Sequence, residues 1–329
     1  MIGSRYSVVC SRYSVNGIQF NISQVLCLKS HISKKMKRLM IFAALLLLAV
    51  PASAQQASQK KLKALIINGQ SFYHDNWPEV TETLKEQLLN SGRFSVEVLT
   101  SKPLGEDISD FRPAFQNYDV VVSVYDGTEW AAPTKKDFER YMKKGGGFVS
   151  IHAADNAFPK WGAYNKMIGL GGWGERDEAS GPYVYYNEAG ERVTDNSQGR
   201  GGHHGKRHSY RVVLREEHPV TRGLPTEWMH VNDELYEQLR GPAENMVIMA
   251  TAWADPETGG SGRHEPMLMG VRWGKGRIFH SVMGHDPASM QCLGFIITFL
   301  RGAEWAATGK VTIPVPDNFP TRDQVSVSQ

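Results

Sequence analysis

The sequence predicts an α/β fold, a parallel sheet with crossover helices. Two patterns carry that prediction. Short apolar runs alternate with stretches of helical period between residues 62 and 151, the arrangement of a parallel sheet with crossover helices. Polar loops follow those runs directly, as loops at the ligand-bearing strand ends of such sheets do.

Leu62–Asn68 (LKALIIN) reads as a buried strand, and Gly69 with QSFYHDNW as the loop after it. Glu79–Asn90 carries Val80, Leu84, Leu88 and Leu89 at helical spacing and ends at Ser91-Gly92. Phe94–Leu99 alternates as a strand, and Val120–Val124 is a Val-rich run. Thr134 opens a helix with Phe138, Tyr141 and Met142, which ends at Lys143-Lys144 and three glycines. Phe148–Ile151 is the next strand. Residues 161–209 lose this pattern and form a long, Gly-rich and aromatic insertion, the length of a functional loop rather than a connection. Strands resume at Tyr210–Leu214, Val247–Ala250, Met267–Trp273 and Arg277–Met283, the last two joined by a hairpin at Gly274-Lys275-Gly276. A final helix, Gln291–Ala307, is expected to face Leu293, Ile296, Ile297 and Leu300 inward, and the polar tail after Thr312 to hug the surface or fray.

The N-terminal part reads as an export signal. Lys34, Lys35, Lys37 and Arg38 precede the apolar run Leu39–Val50 and the small residues Pro51–Ala54. That run is shorter than the roughly 20 residues that span a bilayer, so cleavage is expected and a membrane anchor is not. Met36 starts a complete signal by itself. The expectation is a start at Met36, a signal over 36–54 and a single domain over 55–329, located in the periplasm or secreted. An extended n-region is the alternative. Only Cys292 of the three cysteines lies beyond the signal, which excludes a disulfide framework within the chain. The formal net charge is +3, with its positive part near the signal, so nucleic acid is not an expected partner. Oligomeric state is not readable.

Several polar residues fall where strands end. His152 closes a strand; Tyr73, His74 and Asp75 follow the first one; Asp126 follows the Val-rich run; His285 and Asp286 follow Arg277–Met283. Imidazoles at such an edge can bind a metal or move a proton. Asp75 has a helix-capping alternative. Asp233-Glu234, before Leu235-Tyr236, is a carboxylate pair suited to acid–base or metal chemistry, or else the acidic start of a helix. His203, His204 and His208 crowd one Gly-rich stretch. His204 and His208 have the spacing of helical zinc ligands, but the glycines argue against a helix, so a metal clamp and a solvated loop stay equally open. His280 reads as structural, as does His218 before Pro219, and His264-Glu265 stays ambiguous. The aromatics Tyr73, Trp77, Trp161, Tyr164, Trp173, Tyr183 and Trp228 concentrate in loop-like stretches, as rings that stack on sugars would, although each alone is more often packing.

The segments GGGFVSIHAADNAFPKW (145–161), EEHPVTRGLP (216–225), NDELY (232–236), GVRWGKGRIFHSVMGHD (270–286) and RGAEWAATG (301–309) stand in the order and spacing of one family. The chain resembles the ThuA-like (trehalose utilisation) proteins over nearly all of its length beyond the signal. The resemblance implies a class I glutamine amidotransferase-like, flavodoxin-like three-layer sandwich, with a mainly parallel central sheet flanked by helices, and a role in the catabolism of disaccharides, including routes through 3-keto-glycosides. It also favours Asp233, Glu234 and Tyr236 as site residues. Amidotransferases of this fold carry a Cys nucleophile after a central strand. Here that stretch reads Gly147–Ala153 without Cys, which excludes thiol chemistry, and Ser150 lies inside the strand rather than at an elbow. The expectation is thus an enzyme on a disaccharide or 3-keto-glycoside. His74, His152, Glu234 and His285 would carry the chemistry, and Tyr73, Asp75, Asp126, Trp161, Tyr164, Asp233, Tyr236 and Asp286 would bind a small carbohydrate. His203, His204 and His208 would hold a zinc-like divalent metal. A non-catalytic sugar-binding protein and a two-carboxylate glycoside hydrolase are the alternatives.

Overall fold

The computed structural model describes residues 60–328 and the pairs 14–15 and 18–19. The expected signal at 36–54 lies outside the described residues. Strands β1 (Ser14–Val15) and β2 (Ile18–Gln19) pair antiparallel, and every further element belongs to the unit Lys60–Gln329. That unit opens with β3 (Leu62–Asn68), α1 (Trp77–Asn90), β4 (Phe94–Thr100), β5 (Val120–Ser123), α2 (Ala132–Lys143) and β6 (Gly147–Ile151). Then come α3 (Gly162–Ile168), the hairpin β7 (Tyr183–Tyr186) and β8 (Arg192–Asp195), and β9 (His203–His204). Strands β10 (His208–Leu214), β11 (Glu227–Asp233), β12 (Tyr236–Glu237), β13 (Met246–Trp253), β14 (His264–Trp273) and β15 (Gly276–Ser281) follow, then α4 (Pro287–Met290) and α5 (Leu293–Thr308).

The main sheet runs β11-β10-β13-β14-β15-β6-β5-β3-β4. From β15 to β4 every neighbour is parallel. In chain order those strands lie 2-1-3-4-5, the doubly wound, flavodoxin-like arrangement whose ligands sit beyond the C-terminal strand ends. Every residue of β5 and β6 is buried, because helices cover both faces; β4, at the edge, buries only Phe94 fully. Past β15 the sheet continues antiparallel through β14, β13, β10 and β11. The β14–β15 register pairs Trp273 with Gly276, so the expected hairpin turn is Gly274-Lys275.

Helix α1 buries Val80, Leu84 and Leu88 at the expected spacing. Helix α5 departs from its predicted stripe. It buries Phe295, Ile297, Phe299, Leu300, Ala303 and Trp305, whereas Leu293 and Ile296 are only partly covered, because α5 is enclosed round most of its girth. The tail is pinned: Met229 N–H donates to Thr321 O (2.8 Å) and Leu293 N–H to Ser326 O (2.8 Å).

The stretch 161–209, patternless in sequence, contains α3, the β7–β8 hairpin and β9. Its irregular parts are tied down by two buried arginines. Arg176 donates to the carbonyls of Asn156 (3.0 Å), Ala157 (2.8 Å) and Gly172 (2.6 Å). Arg240 donates to those of Gly181 (2.9 Å), Ser197 (2.7 Å) and Gly199 (2.9 Å) and lies 3.8 Å from the Tyr183 ring centre. Buried loop carbonyls need donors, and a forked guanidinium supplies several at once.

Candidate metal centre at the strand ends

Four side chains from four separate segments meet beyond the C-terminal ends of the parallel strands. His74 follows β3, His152 follows β6, Glu234 follows β11 and His285 follows β15. One ligand atom from each lies within 4.8 Å of all the others. His285 Nδ1 is 3.0 Å from Glu234 Oε2 and 3.2 Å from His152 Nε2. The His74 ring centre is 5.0 Å from those of both His152 and His285.

The surroundings hold each group in place. His152 Nδ1 donates to Val282 O (2.7 Å), which turns Nε2 toward the cluster. Its ring stacks on Tyr236 at 3.9 Å, and the Tyr236 hydroxyl shares a hydrogen bond with His74 Nε2 (3.1 Å). The His74 backbone N–H bonds Ser71 Oγ (2.9 Å), and Asn76 holds the His285 carbonyl (3.0 Å). Asp233 is fully buried and accepts from His230 Nε2 (3.0 Å) and the N–H groups of Gly284 (2.8 Å), Glu234 (2.9 Å) and His285 (3.1 Å). It therefore staples the end of β11 to the loop after β15.

The electrostatics follow from burial and these pairings. Burial, helped by the neighbouring His152 and His285, lowers the His74 pKa to about 3, so its imidazole is neutral. Burial opposes charge on His152 too, but Glu234 and Asp233 outweigh it and raise its pKa. Glu234 is held well below the carboxylate range: desolvation pushes it up, and hydrogen bonds from His152 and His285 overcome that. Desolvation likewise opposes Asp233, yet pairing with His230 brings it down to about 2.

The other expected site residues divide. Tyr73 is exposed and Asp126 buried, and both line a neighbouring cleft. Tyr236 is buried and positions His74 and His152 rather than offering a free ring. The remaining expectations for sugar binding are corrected. Trp161 and Tyr164 are core residues whose rings pack on Phe158 and on each other, and they bond Glu139 (3.1 Å) and Ala154 O (2.7 Å). Asp75 is exposed and neither joins the cluster nor caps α1, whose N-cap is Asn76. Asp233 serves by its backbone staple. Asp286 caps α4 in a capping box and pairs with Arg207 (2.6 Å).

The three loop histidines expected to share a metal do not converge. His203 pairs with the buried Glu237, His204 Nδ1 donates to Gly205 O (2.9 Å) and His208 Nδ1 to Lys206 O (2.9 Å). They lie on short strands β9 and β10, where side chains alternate, so sequence proximity does not aim them together. Only His204 reaches the site's margin, 6.2 Å from the Tyr236 ring centre. The metal-competent group is instead the set expected to be catalytic. Ser150 is buried within β6, and Cys292 is buried at the N-cap of α5. Sequence reasoning missed Arg176, His230 and Arg240. No period or motif marks them, since each acts through contacts made far along the chain.

A family model for ThuA, described as trehalose utilisation, matches residues 63–306. A ThuA-like protein of Parabacteroides merdae is 47% identical, with a TM-score of 0.79, covering 82% of this chain and 98% of that one. A second ThuA-like protein, from Bacteroides uniformis, is 19% identical with a TM-score of 0.53 over 77% of this chain and 95% of that one, a likeness of fold alone. A glutamine amidotransferase of Thermotoga maritima is a remote neighbour at 15% identity and a TM-score of 0.36, over 69% of this chain and 76% of that one. No curated protein matches the chain. With a family model spanning most of the described unit and a ThuA-like protein 47% identical over 82% of the chain, the chain belongs to the ThuA, trehalose-utilisation family.

Proposed function

We propose that this protein is an exported enzyme of carbohydrate breakdown that holds a divalent, zinc-like ion on His74, His152, Glu234 and His285 and acts on a disaccharide or 3-keto-glycoside. The observation that carries the reading is the convergence of those four groups from four separate loops. The donor set suits such an ion. Three imidazoles, borderline nitrogen ligands, and one carboxylate are a set that zinc takes, and the His152–Val282 bond is the outer support that metal-binding histidines use.

A bound ion of this kind polarises a sugar carbonyl or hydroxyl. The protein's own groups do the rest. Burial keeps the His74 imidazole neutral, the form in which it would give a lone pair to the ion. On a 3-keto-glycoside the proton leaves the carbon between the ketone and the anomeric centre. A double bond forms there, the anomeric C–O bond breaks, and the departing alcohol takes up a proton. Glu234 and His285 orient the reacting unit while Tyr236 and Asp233 fix the imidazoles.

Elemental analysis of the purified protein, coupled to turnover of plain and 3-keto disaccharides with and without chelator, tests this. The expected result is about one metal per chain and chelator-sensitive turnover of the keto-sugar. Metal-free protein whose activity ignores both metal and chelator sinks the reading.

A further inference from the structure

Beside the histidine group lies a cleft of ≈ 500 Å³, lined by residues that include Phe72, Tyr73, Asp126, Asn156, Phe158 and Lys160. Its walls extend the loops that carry the metal-competent groups. Phe72 and Tyr73 immediately precede His74, and Asn156 caps the short helical turn that begins at His152. The volume is that of a site for a small organic ligand.

The floor and walls differ in chemistry. Asp126 and Asn156 are 2% and 3% exposed, yet Asp126 Oδ2 and Asn156 Oδ1 have no hydrogen-bond partner in the protein. Buried acceptors without donors cost free energy, so a ligand that brings O–H donors would relieve them. On the wall, Phe72 and Tyr73 are 54% and 57% exposed and present apolar ring surface. The rim holds an ion pair between Lys160 and Glu175 (3.7 Å), so it presents no net single-sign field. Phe158 and Glu175, both on the cleft, have φ values of 52° and 65°, a conformation costly for such residues and concentrated at ligand sites.

We infer that this cleft seats a second pyranose ring, so that the protein takes a neutral disaccharide with one ring at the histidine group and the other between Phe72–Tyr73 and the Asp126–Asn156 floor. Ring hydroxyls would donate to the two free acceptors, and the C–H face of the ring would lie on the aromatics. This rests on the carbohydrate reading above. It adds where the second ring sits and the residues that select it.

Calorimetry on the zinc-loaded mature chain tests it, with trehalose, maltose and lactose against glucose and choline. Zinc affinity is measured in parallel on the same samples. Wild-type protein is expected to bind at least one disaccharide about tenfold tighter than glucose. Phe72→Ala/Tyr73→Ala should abolish that preference and leave zinc affinity unchanged, and Asp126→Asn should weaken the disaccharide alone. Unchanged disaccharide binding in both variants overturns the cleft assignment, as does choline binding in preference to sugar. Wild-type protein that binds zinc but prefers no disaccharide also overturns it and leaves the metal centre standing. Wild-type protein that prefers a disaccharide but does not hold zinc supports the cleft and removes the metal instead.

Discussion

Asp233→Asn changes one atom at the staple beneath the centre. The carboxylate accepts two bonds on each oxygen: Glu234 and His285 N–H on Oδ1, His230 Nε2 and Gly284 N–H on Oδ2. An amide keeps one oxygen and turns an NH2 group toward two donors, whichever way it faces. Two bonds to a charged acceptor are lost, each worth about 1.5–3 kcal/mol, so the variant should lose roughly 3–6 kcal/mol of folding stability. That is a large part of the ~5–15 kcal/mol typical of a domain. The backbone of Glu234 and His285 loosens at the same time, and outer support of this kind is worth about 10–100-fold in metal affinity. Urea denaturation at pH 7 and a competitive zinc titration read the two effects. Stability within about 0.5 kcal/mol of wild type with unaltered zinc affinity would refute the staple argument.

Alanine at His285 should abolish tight zinc binding, whereas the triple change His203→Ala/His204→Ala/His208→Ala should leave stoichiometry and affinity intact; the same titration separates the two sets. Glu265 is fully buried, and burial together with the charge of Glu237 raises its pKa from 4.5 to about 7. A raised carboxyl pKa means that the fold favours the protonated form. Stability is therefore lost as pH rises from 4.5 through 7, by about 3 kcal/mol in all. Glu265→Gln keeps an acceptor for Ser261 Oγ (2.9 Å) and should exceed wild type in stability at pH 8, with the advantage gone at pH 4.5. A pH-independent difference in denaturation midpoint contradicts this. Gly284 has φ 98°, and an added Cβ would come 2.6 Å from the Phe295 ring. Gly284→Ala should cost about 1–3 kcal/mol and weaken zinc binding through the displaced His285, as read by thermal melts beside the titration.

The parallel half of the sheet was legible because both local signals agreed there. Leu62–Asn68 is a strand to the residue, and the placement of His74, Asp126, His152 and His285 at one edge follows from strand order alone. Glu234 was named from a motif, but its geometry was not legible. Asp233 ends β11, at the far side of the antiparallel extension, and nothing in NDELY shows a strand rather than a helix start. The Gly-rich insertion misled in the opposite way. Three histidines in six residues look like a clamp, yet alternation along β9 and β10 and separate partners disperse them. Trp161 and Tyr164 misled because an aromatic in a loop-like segment reads as exposed until its packing partners, here Phe158 and Trp130, are known. The signals that would have helped, Arg176 and Arg240, are charges whose burial only tertiary structure shows.

The turn after β6 links the thiol-free sequence to the chemistry of the site. In elbow-type active sites the nucleophile sits at a strained strand-to-helix turn that lifts its side chain clear of the sheet. His152 stands at the equivalent point, immediately after β6, with φ 42°. That strain is sustained by the Val282 bond and the Tyr236 stack. The device is thus retained while its cargo is an imidazole facing three other ligand groups. A consequence is measurable. In ordinary backbone Ala is more stable than Gly, but at positive φ an added Cβ is costly and the order inverts. Both His152→Ala and His152→Gly lose the imidazole contacts equally. The Gly variant should therefore be the more stable by about 1 kcal/mol in denaturant. An Ala variant as stable as the Gly variant, or more so, means that the turn is not strained and that His152 is aimed by its side-chain partners alone.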